Sequence, residues 1–355
     1  MKESFQTRQK KRKRTTRILL LVFTVLLLLA MLVCYLLFQS LMQPIVKTPG
    51  KKDFSLYIPT GATFQQVKDS LYAHDLITHP ARFEWLCGKK DYANHVHAGR
   101  YVLRDGMSNR QLTNMLRGGL QTPVKVTFNN QRDINGLAGR IAQQIEADSM
   151  EIVNYLNDRK TLDSLGFDRR TLPALFLPNT YEFYWNTGAK PFVDRMKQEY
   201  DKYWNEERRN LAKAKGLTPI QVSILASIVD KETNKTDEMA RIAGVYLNRL
   251  RDGWLLQADP TLVFALGDFE LKRVLNVHKE VESPYNTYKY PGLPPGPICI
   301  PSLESINAVL NAEQHHFYYF CAKEDFSGYH NFAKTLTEHN RNAERYQRAL
   351  SKLPH

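Results

Sequence analysis

Thr218-Pro-Ile-Gln-Val-Ser-Ile-Leu-Ala-Ser-Ile-Val-Asp-Lys-Glu-Thr233 is the stretch on which the reading of this chain turns. Threonine followed by proline marks a helix start: the Thr218 hydroxyl can cap, and Pro219 takes the first turn, where its missing N–H costs nothing. Val222, Leu225, Val229 and Glu232 then recur at spacings of three and four, the signature of one helical face. Glu232 is thereby carried to the apolar side, while Asp230 and Lys231 turn away from it at about 100° per residue. A carboxylic acid held against apolar neighbours keeps its proton nearer neutrality and can give it to a leaving group. The competing reading is a half-exposed glutamate near a helix end, with a snorkelling stem or an ion-pair partner.

Downstream, residues 237–251 form a second helix that stops at Gly253 and carries Tyr246, Asn248 and Arg249. Leu256-Gln-Ala-Asp-Pro-Thr261 follows. Asp259 before Pro260 reads as another helix start, with the aspartate as cap. Gln257 precedes that cap in a short extended piece, and its amide both donates and accepts, which suits a sugar hydroxyl or N-acetyl group. Ser283-Pro-Tyr-Asn-Thr-Tyr288 supplies Tyr285, Asn286 and Tyr288, aromatic and amide groups that carbohydrate clefts and structural turns both use. The four prolines and two glycines of residues 290–298 predict a stiff surface loop.

Upstream, residues 191–215 read as one long charged amphipathic helix. Phe176-Leu-Pro-Asn-Thr-Tyr-Glu-Phe-Tyr-Trp185 is either a sugar-stacking surface or core. Helices are expected at 135–145 and 150–157, and a strand at 124–128. Residues 54–122 alternate strand, helix, helix, strand, helix, over 54–58, 63–74, 81–87, 99–103 and 108–117, with turns at Pro59-Thr-Gly61 and Asp105-Gly106. Gly99-Arg-Tyr-Val-Leu103 followed by Gly106-Met-Ser-Asn-Arg-Gln-Leu112 resembles a LysM-type module, and that resemblance implies glycan contact. A packing or spacer domain is the alternative.

Residues 39–53 read as a polar linker. Residues 18–38 hold no charge and no proline, enough at about 1.5 Å per residue to cross a hydrocarbon core of roughly 30 Å. They read as a transmembrane helix and not as a cleaved signal peptide, whose apolar core is shorter and ends in small residues. Residues 1–17 carry eight Lys and Arg against one Glu, so more than half of the formal charge of +13 sits in this tail. A basic flank stays in the cytoplasm, which places everything after residue 39 across the membrane. Topogenesis and anionic lipid account for the charge, so nucleic acid is not an expected partner. Cys87, Cys299 and Cys321 lie outside the span with no C-x-x-C pair, and read as buried small apolar residues or one disulfide. His278, His315, His316, His330 and His339 fit no metal pattern, so neither metal nor cofactor is expected.

Together these blocks resemble the endolytic murein transglycosylases, the YceG-like family. The likeness rests on Ala226-Ser-Ile-Val-Asp-Lys-Glu-Thr233, Asn248-Arg249-Leu250, Leu256-Gln-Ala-Asp-Pro-Thr261, Tyr285-Asn-Thr-Tyr288, Gly292-Leu-Pro-Pro-Gly296, His330-Asn-Phe332 and His339-Asn340. It covers nearly the whole chain. Asp230 stands where many relatives have glutamate, Asn179 where an aspartate is usual, and Asn130-Gln131 where a Glu-Gly pair is common.

The resemblance implies an α+β protein: basic tail 1–17, transmembrane helix 18–38, linker 39–53, LysM-like module 54–122 and a mixed α+β catalytic domain 123–355. It implies a single-pass protein of the cell inner membrane, with its N-terminus cytoplasmic and its catalytic domain periplasmic. Glu232 is the implied catalytic residue, with Gln257, Asn248, Tyr285, Asn286 and Tyr288 as substrate-binding candidates. The expected partner is the peptidoglycan glycan strand, with cell-wall synthases beside it. The expected reaction is cleavage between N-acetylmuramic acid and N-acetylglucosamine, closing a 1,6-anhydro end and terminating strand growth. Ordinary glycosidases need two carboxylates, whereas a tethered hydroxyl nucleophile dispenses with the second. With Asp259 read as a cap, one acid favours this lyase chemistry. A hydrolytic muramidase and a non-catalytic glycan-binding scaffold are the other classes.

Overall fold

The structure is a computed structural model that describes residues 2–271 and 273–352. Met1, Lys272 and residues 353–355, which fall within the expected tail and catalytic region, lie outside the described residues. The fold is mixed α+β. Its elements are α1 (Lys2–Met42), β1 (Phe54–Ile58), α2 (Phe64–Ala73), α3 (Pro80–Lys89), β2 (Gly99–Leu103), α4 (Asn109–Arg117), β3 (Val124–Phe128), α5 (Ile134–Ala142), α6 (Ser149–Asn157), α7 (Arg159–Leu165), β4 (Asn179–Phe183), α8 (Ala189–Tyr203), α9 (Glu206–Ala214), α10 (Pro219–Glu232), α11 (Thr236–Arg251), α12 (Asp259–Leu266), α13 (Leu303–Leu310), β5 (Tyr319–Ala322), β6 (His330–Ala333) and α14 (Leu336–Leu350). The strands form three two-stranded sheets, β1-β2, β3-β4 and β5-β6. The chain divides into two compact units: residues up to Val124 with Tyr184–Asn186, and Lys125–Phe183 with Thr187 onward.

In the first unit, α1 is long and apolar enough over Lys10–Met42 to cross a membrane, by length and composition. β1 and β2 pair antiparallel, Phe54 opposite Leu103 and Ile58 opposite Gly99. Both following helices begin on the capping boxes their sequences allow: Thr63 with Gln66 for α2, and Ser108 with Gln111 for α4. Leu56, Leu71, Phe83, Tyr101, Leu112 and Leu116 meet in its core. The expected linker differs from a free tether at its centre. Ile45 and Val46 are buried, and both their backbone N–H groups donate to the Met107 carbonyl. Two apolar residues in a polar stretch have a core to join, and they anchor the segment to this unit.

In the second unit the expected helix over 191–215 is broken. α8 ends at Tyr203, Trp204 is buried, and the Asn205 side chain caps α9 by accepting from the Arg208 N–H. The aromatic stretch 176–185 is mostly core: Phe176, Tyr181 and Phe183 are buried, and the Tyr181 ring stacks on Phe128 across the β3-β4 sheet. The proline-rich segment is also a correction. Tyr290 and Pro291 are exposed as expected of a surface loop, but Pro294 and Gly296 through Ile300 are buried, so the later part is an inner strap. A Cβ at Gly296 would lie 2.1 Å from the Arg170 carbonyl oxygen, a contact only glycine permits. The Ser227 hydroxyl of α10 accepts the Ile298 N–H at 2.9 Å and ties this strap to the helix.

Candidate active site

α10 starts as its sequence predicts, on a Thr218 and Gln221 capping box with Pro219 in the first turn. It does not present one apolar stripe. Every residue from Val222 to Asp230 is buried, because α11, α12 and α13 pack around it. Asp230, expected to face away, is buried as well. Its carboxylate accepts from Asn130 Nδ2 at 2.8 Å and from the Ser302 hydroxyl. Lys231 is exposed, and Glu232 closes the helix half-buried.

Glu232 Oε1 accepts a 2.5 Å hydrogen bond from the hydroxyl of Tyr246, a buried residue of α11. Burial pushes the Glu232 carboxyl up from 4.5 to about 7; the Asp259 charge adds to the rise, while the Tyr246 bond and the Arg249 charge oppose it. The acid is therefore poised to carry a proton at neutral pH and to lose it again. Glu232 and Asp259 both line two cavities. One, of about 660 Å³, also holds Val263, Phe264 and Ile298. The other, of about 390 Å³, holds Tyr246, Arg249, Gln257, Tyr288, His330 and His339.

The residues expected to bind substrate separate into two groups. Gln257 and Tyr288 line the smaller cavity. Gln257 is not extended: its φ is +50°, a left-handed turn fixed by its N–H to the Thr287 carbonyl at 3.0 Å. That turn leaves its side-chain amide exposed. Asn286 and Asn248 are corrections. Asn286 is buried, its Nδ2 donating to the Lys279 and Val281 carbonyls and its Oδ1 accepting from the Tyr288 N–H at 2.9 Å. Asn248 Nδ2 donates to the carbonyls of His315 and Phe317 at 2.9 and 3.0 Å, pinning the lead-in to β5. The Asn286 amide and the Nδ2 of Asn248 are engaged inside the fold, so these groups shape the site from within. The half-buried Tyr285 ring packs on Phe264 at 4.7 Å between centroids, supporting the wall of the larger cavity.

Asp259 is the largest correction. It is the first residue of α12 and not its cap; no side chain of its own caps that end. Thr287 braces that end from a distance, its hydroxyl accepting the Ala258 N–H at 3.0 Å and bonding Thr261 Oγ1 at 2.8 Å. The Asp259 carboxylate is thereby released, and it accepts from the Tyr288 hydroxyl.

A second hydrogen-bonded pair, of which Glu238 is buried and His330 partly so, carries no assigned role in the sequence. Glu238, 6% exposed, accepts from His330 Nδ1 at 2.7 Å and from the His330 N–H at 2.9 Å, fastening β6 to α11. His339 stacks on Tyr319, and burial lowers its imidazole. In the sequence these histidines stand out only as members of His330-Asn-Phe332 and His339-Asn340, two of the blocks on which the family resemblance rests. Arg249 closes the floor, with Nε on the Tyr318 carbonyl and Nη1 on that of Leu256, at 2.7 and 2.5 Å.

This geometry, an acid with a raised titration point between two cavities, lies in a region that matches one family profile, described as the YceG-like family, over residues 56–345. The chain belongs to the YceG-like family. Among YceG-like relatives, an endolytic murein transglycosylase of Bacillus subtilis is 27% identical, over 88% of this chain and 89% of that protein. One from Streptococcus pneumoniae is 28% identical over 82% of this chain, which spans 58% of that protein's length. A crystal structure of a YceG-like protein from Listeria monocytogenes superposes with a TM-score of 0.55 at 25% identity, covering 82% of this chain and 99% of that one.

Proposed function

We propose that this YceG-like chain is a membrane-anchored lytic transglycosylase that cuts peptidoglycan strands internally. Glu232 protonates the glycosidic oxygen between N-acetylmuramic acid and N-acetylglucosamine. As that bond breaks, the same carboxylate takes the proton of the muramoyl 6-hydroxyl, whose oxygen closes on C1 to give a 1,6-anhydro end. The observation that carries this reading is the place of Glu232, lining two cavities at the end of α10 with its carboxylate held by the Tyr246 hydroxyl, where burial also raises its carboxyl toward the range of a group that gives and regains a proton near pH 7. The names of its relatives agree with it. Gln257 and Tyr288 hold the sugar beside the acid. α1 anchors the chain in the inner membrane with its basic end cytoplasmic, the working units lie outside, and the first unit serves as a LysM-like contact for glycan. Nascent strands near the bilayer are the natural substrate, with cell-wall synthases as neighbours.

Digestion of purified peptidoglycan with mass spectrometry of the products tests the reading. Anhydro-ended fragments are expected from the wild type and none from Glu232→Gln; full retained activity in that variant removes Glu232 from the mechanism. The second reading, a hydrolytic muramidase, is favoured by Asp259, a carboxylate free of capping duty beside the acid. It gives reducing ends heavier by one water in the same assay.

A further inference from the structure

The two cavities that meet at Glu232 differ in chemistry. The smaller presents hydroxyls, an amide and rings, and its one guanidinium, Arg249, is committed to backbone carbonyls. The larger adds Arg132, Lys231 and Arg273 to the Glu232 and Asp259 carboxylates that both cavities share, three cations against two acids of which Glu232 is held toward its neutral form, around an apolar floor that includes Val263, Leu271 and Val274. Among the described residues none of these three cations has an ion-pair partner, although Arg241 and Lys289 of the same unit are paired with Glu313 and with Glu280 and Glu282. The Arg132 guanidinium sits 4.1 Å over the Phe269 ring, which holds the charge at the cavity wall. Unpaired cations over an apolar floor match an anionic ligand that also carries methyl groups.

The sugars of a glycan backbone are neutral. Its carboxylates belong to the peptide stem on the lactyl ether of every muramoyl residue, a chain rich in alanine methyls. We propose that the larger cavity is a binding site for this acidic peptide stem, so that the muramoyl residue cleaved at C1 lies on its side of Glu232 and the departing N-acetylglucosamine lies on the side of Gln257 and Tyr288. The assignment rests on the glycan-cleaving reading above and adds the direction in which the strand lies. Three partly exposed charge pairs, each weak, together correspond to about tenfold in kcat/KM.

The test compares strands with stems intact and the same strands stripped by an amidase, using the full chain in detergent. The expected wild-type preference for stem-bearing strands is about tenfold, falling toward unity in Arg132→Gln/Lys231→Gln/Arg273→Gln and shrinking as salt rises. Equal rates on the two preparations, or a triple variant with its preference intact, overturn the assignment while leaving glycan cleavage standing. Co-sedimentation of Glu232→Gln with both preparations reads the site without turnover. If the wild type cuts neither preparation, the catalytic reading falls, and equal co-sedimentation then overturns the stem site on its own account. Thermal unfolding of the triple variant, expected to match the wild type, separates lost recognition from lost fold.

Discussion

The hydroxyl of Tyr246 donates to Glu232 across the junction of two helices, so the donor that restrains the rise in the acid's titration lies fourteen positions further along the chain, on α11. A donor aimed at a carboxylate favours its ionised form. Tyr246→Phe removes that bias, so the Glu232 carboxyl rises further, and the alkaline limb of the pH–rate profile moves up by roughly one unit. A limb that stays in place or moves down contradicts this arrangement.

Asp259→Asn acts in the opposite direction. The Asp259 charge raises Glu232, so its loss lowers the acid's titration point and brings the alkaline limb down. The same variant reports on water delivery. If reducing ends appear in wild-type digests and vanish in Asp259→Asn, Asp259 activates water; if the end groups keep their proportions, it does not.

Glu232→Gln affects stability as well as rate. With the carboxyl raised from 4.5 to about 7, the wild-type fold has its full stability below about pH 4.5 and loses part of it as pH rises to about 7. Above that the deficit is up to about 3 kcal/mol. Glu232→Gln does not ionise, so denaturant titration at pH 8 should find it more stable than wild type by about 1–3 kcal/mol, with no gain at pH 4. Turnover should fall at least a hundredfold, the usual scale for a lost general acid.

Asn286→Ala and Gln257→Ala should part company. Asn286 bonds two carbonyls and an N–H from a buried position, and its removal strands them at a cost of about 2–3 kcal/mol in a thermal or denaturant melt. Gln257→Ala leaves the melt within about 0.5 kcal/mol and raises KM. The reverse pattern contradicts the division of labour between them.

Gly296→Ala places a methyl 2.1 Å from the Arg170 carbonyl oxygen, so the strap must shift from its seat on Ser227. Overpacking of this kind costs about 1–3 kcal/mol, and the melting temperature should fall accordingly.

Local signals in the sequence carried most of the secondary structure. Thr218-Pro219 starts α10 as expected, and the paired strands of the first unit lie where their turns place them. Signals that depend on tertiary partners were not legible. Asp259 followed by proline reads as a cap unless one knows that the helix starts at Asp259 itself and that Thr287, 29 residues from Ala258, braces that end through the Ala258 N–H. Asn286 and Asn248 read as sugar ligands because composition does not say which carbonyls lie nearby. Asp230 and Asn130, a hundred residues apart, are hydrogen-bonded to each other, a contact that no local pattern signals.

Glu232 has space on both of its flanks. On the strand-cutting reading proposed above, a long polymer laid over it would run off in either direction, like rope across a blade, and no free tip would have to be found first. Where the cut falls along such a rope then depends on what grips it to left and right, and not on counting from an end.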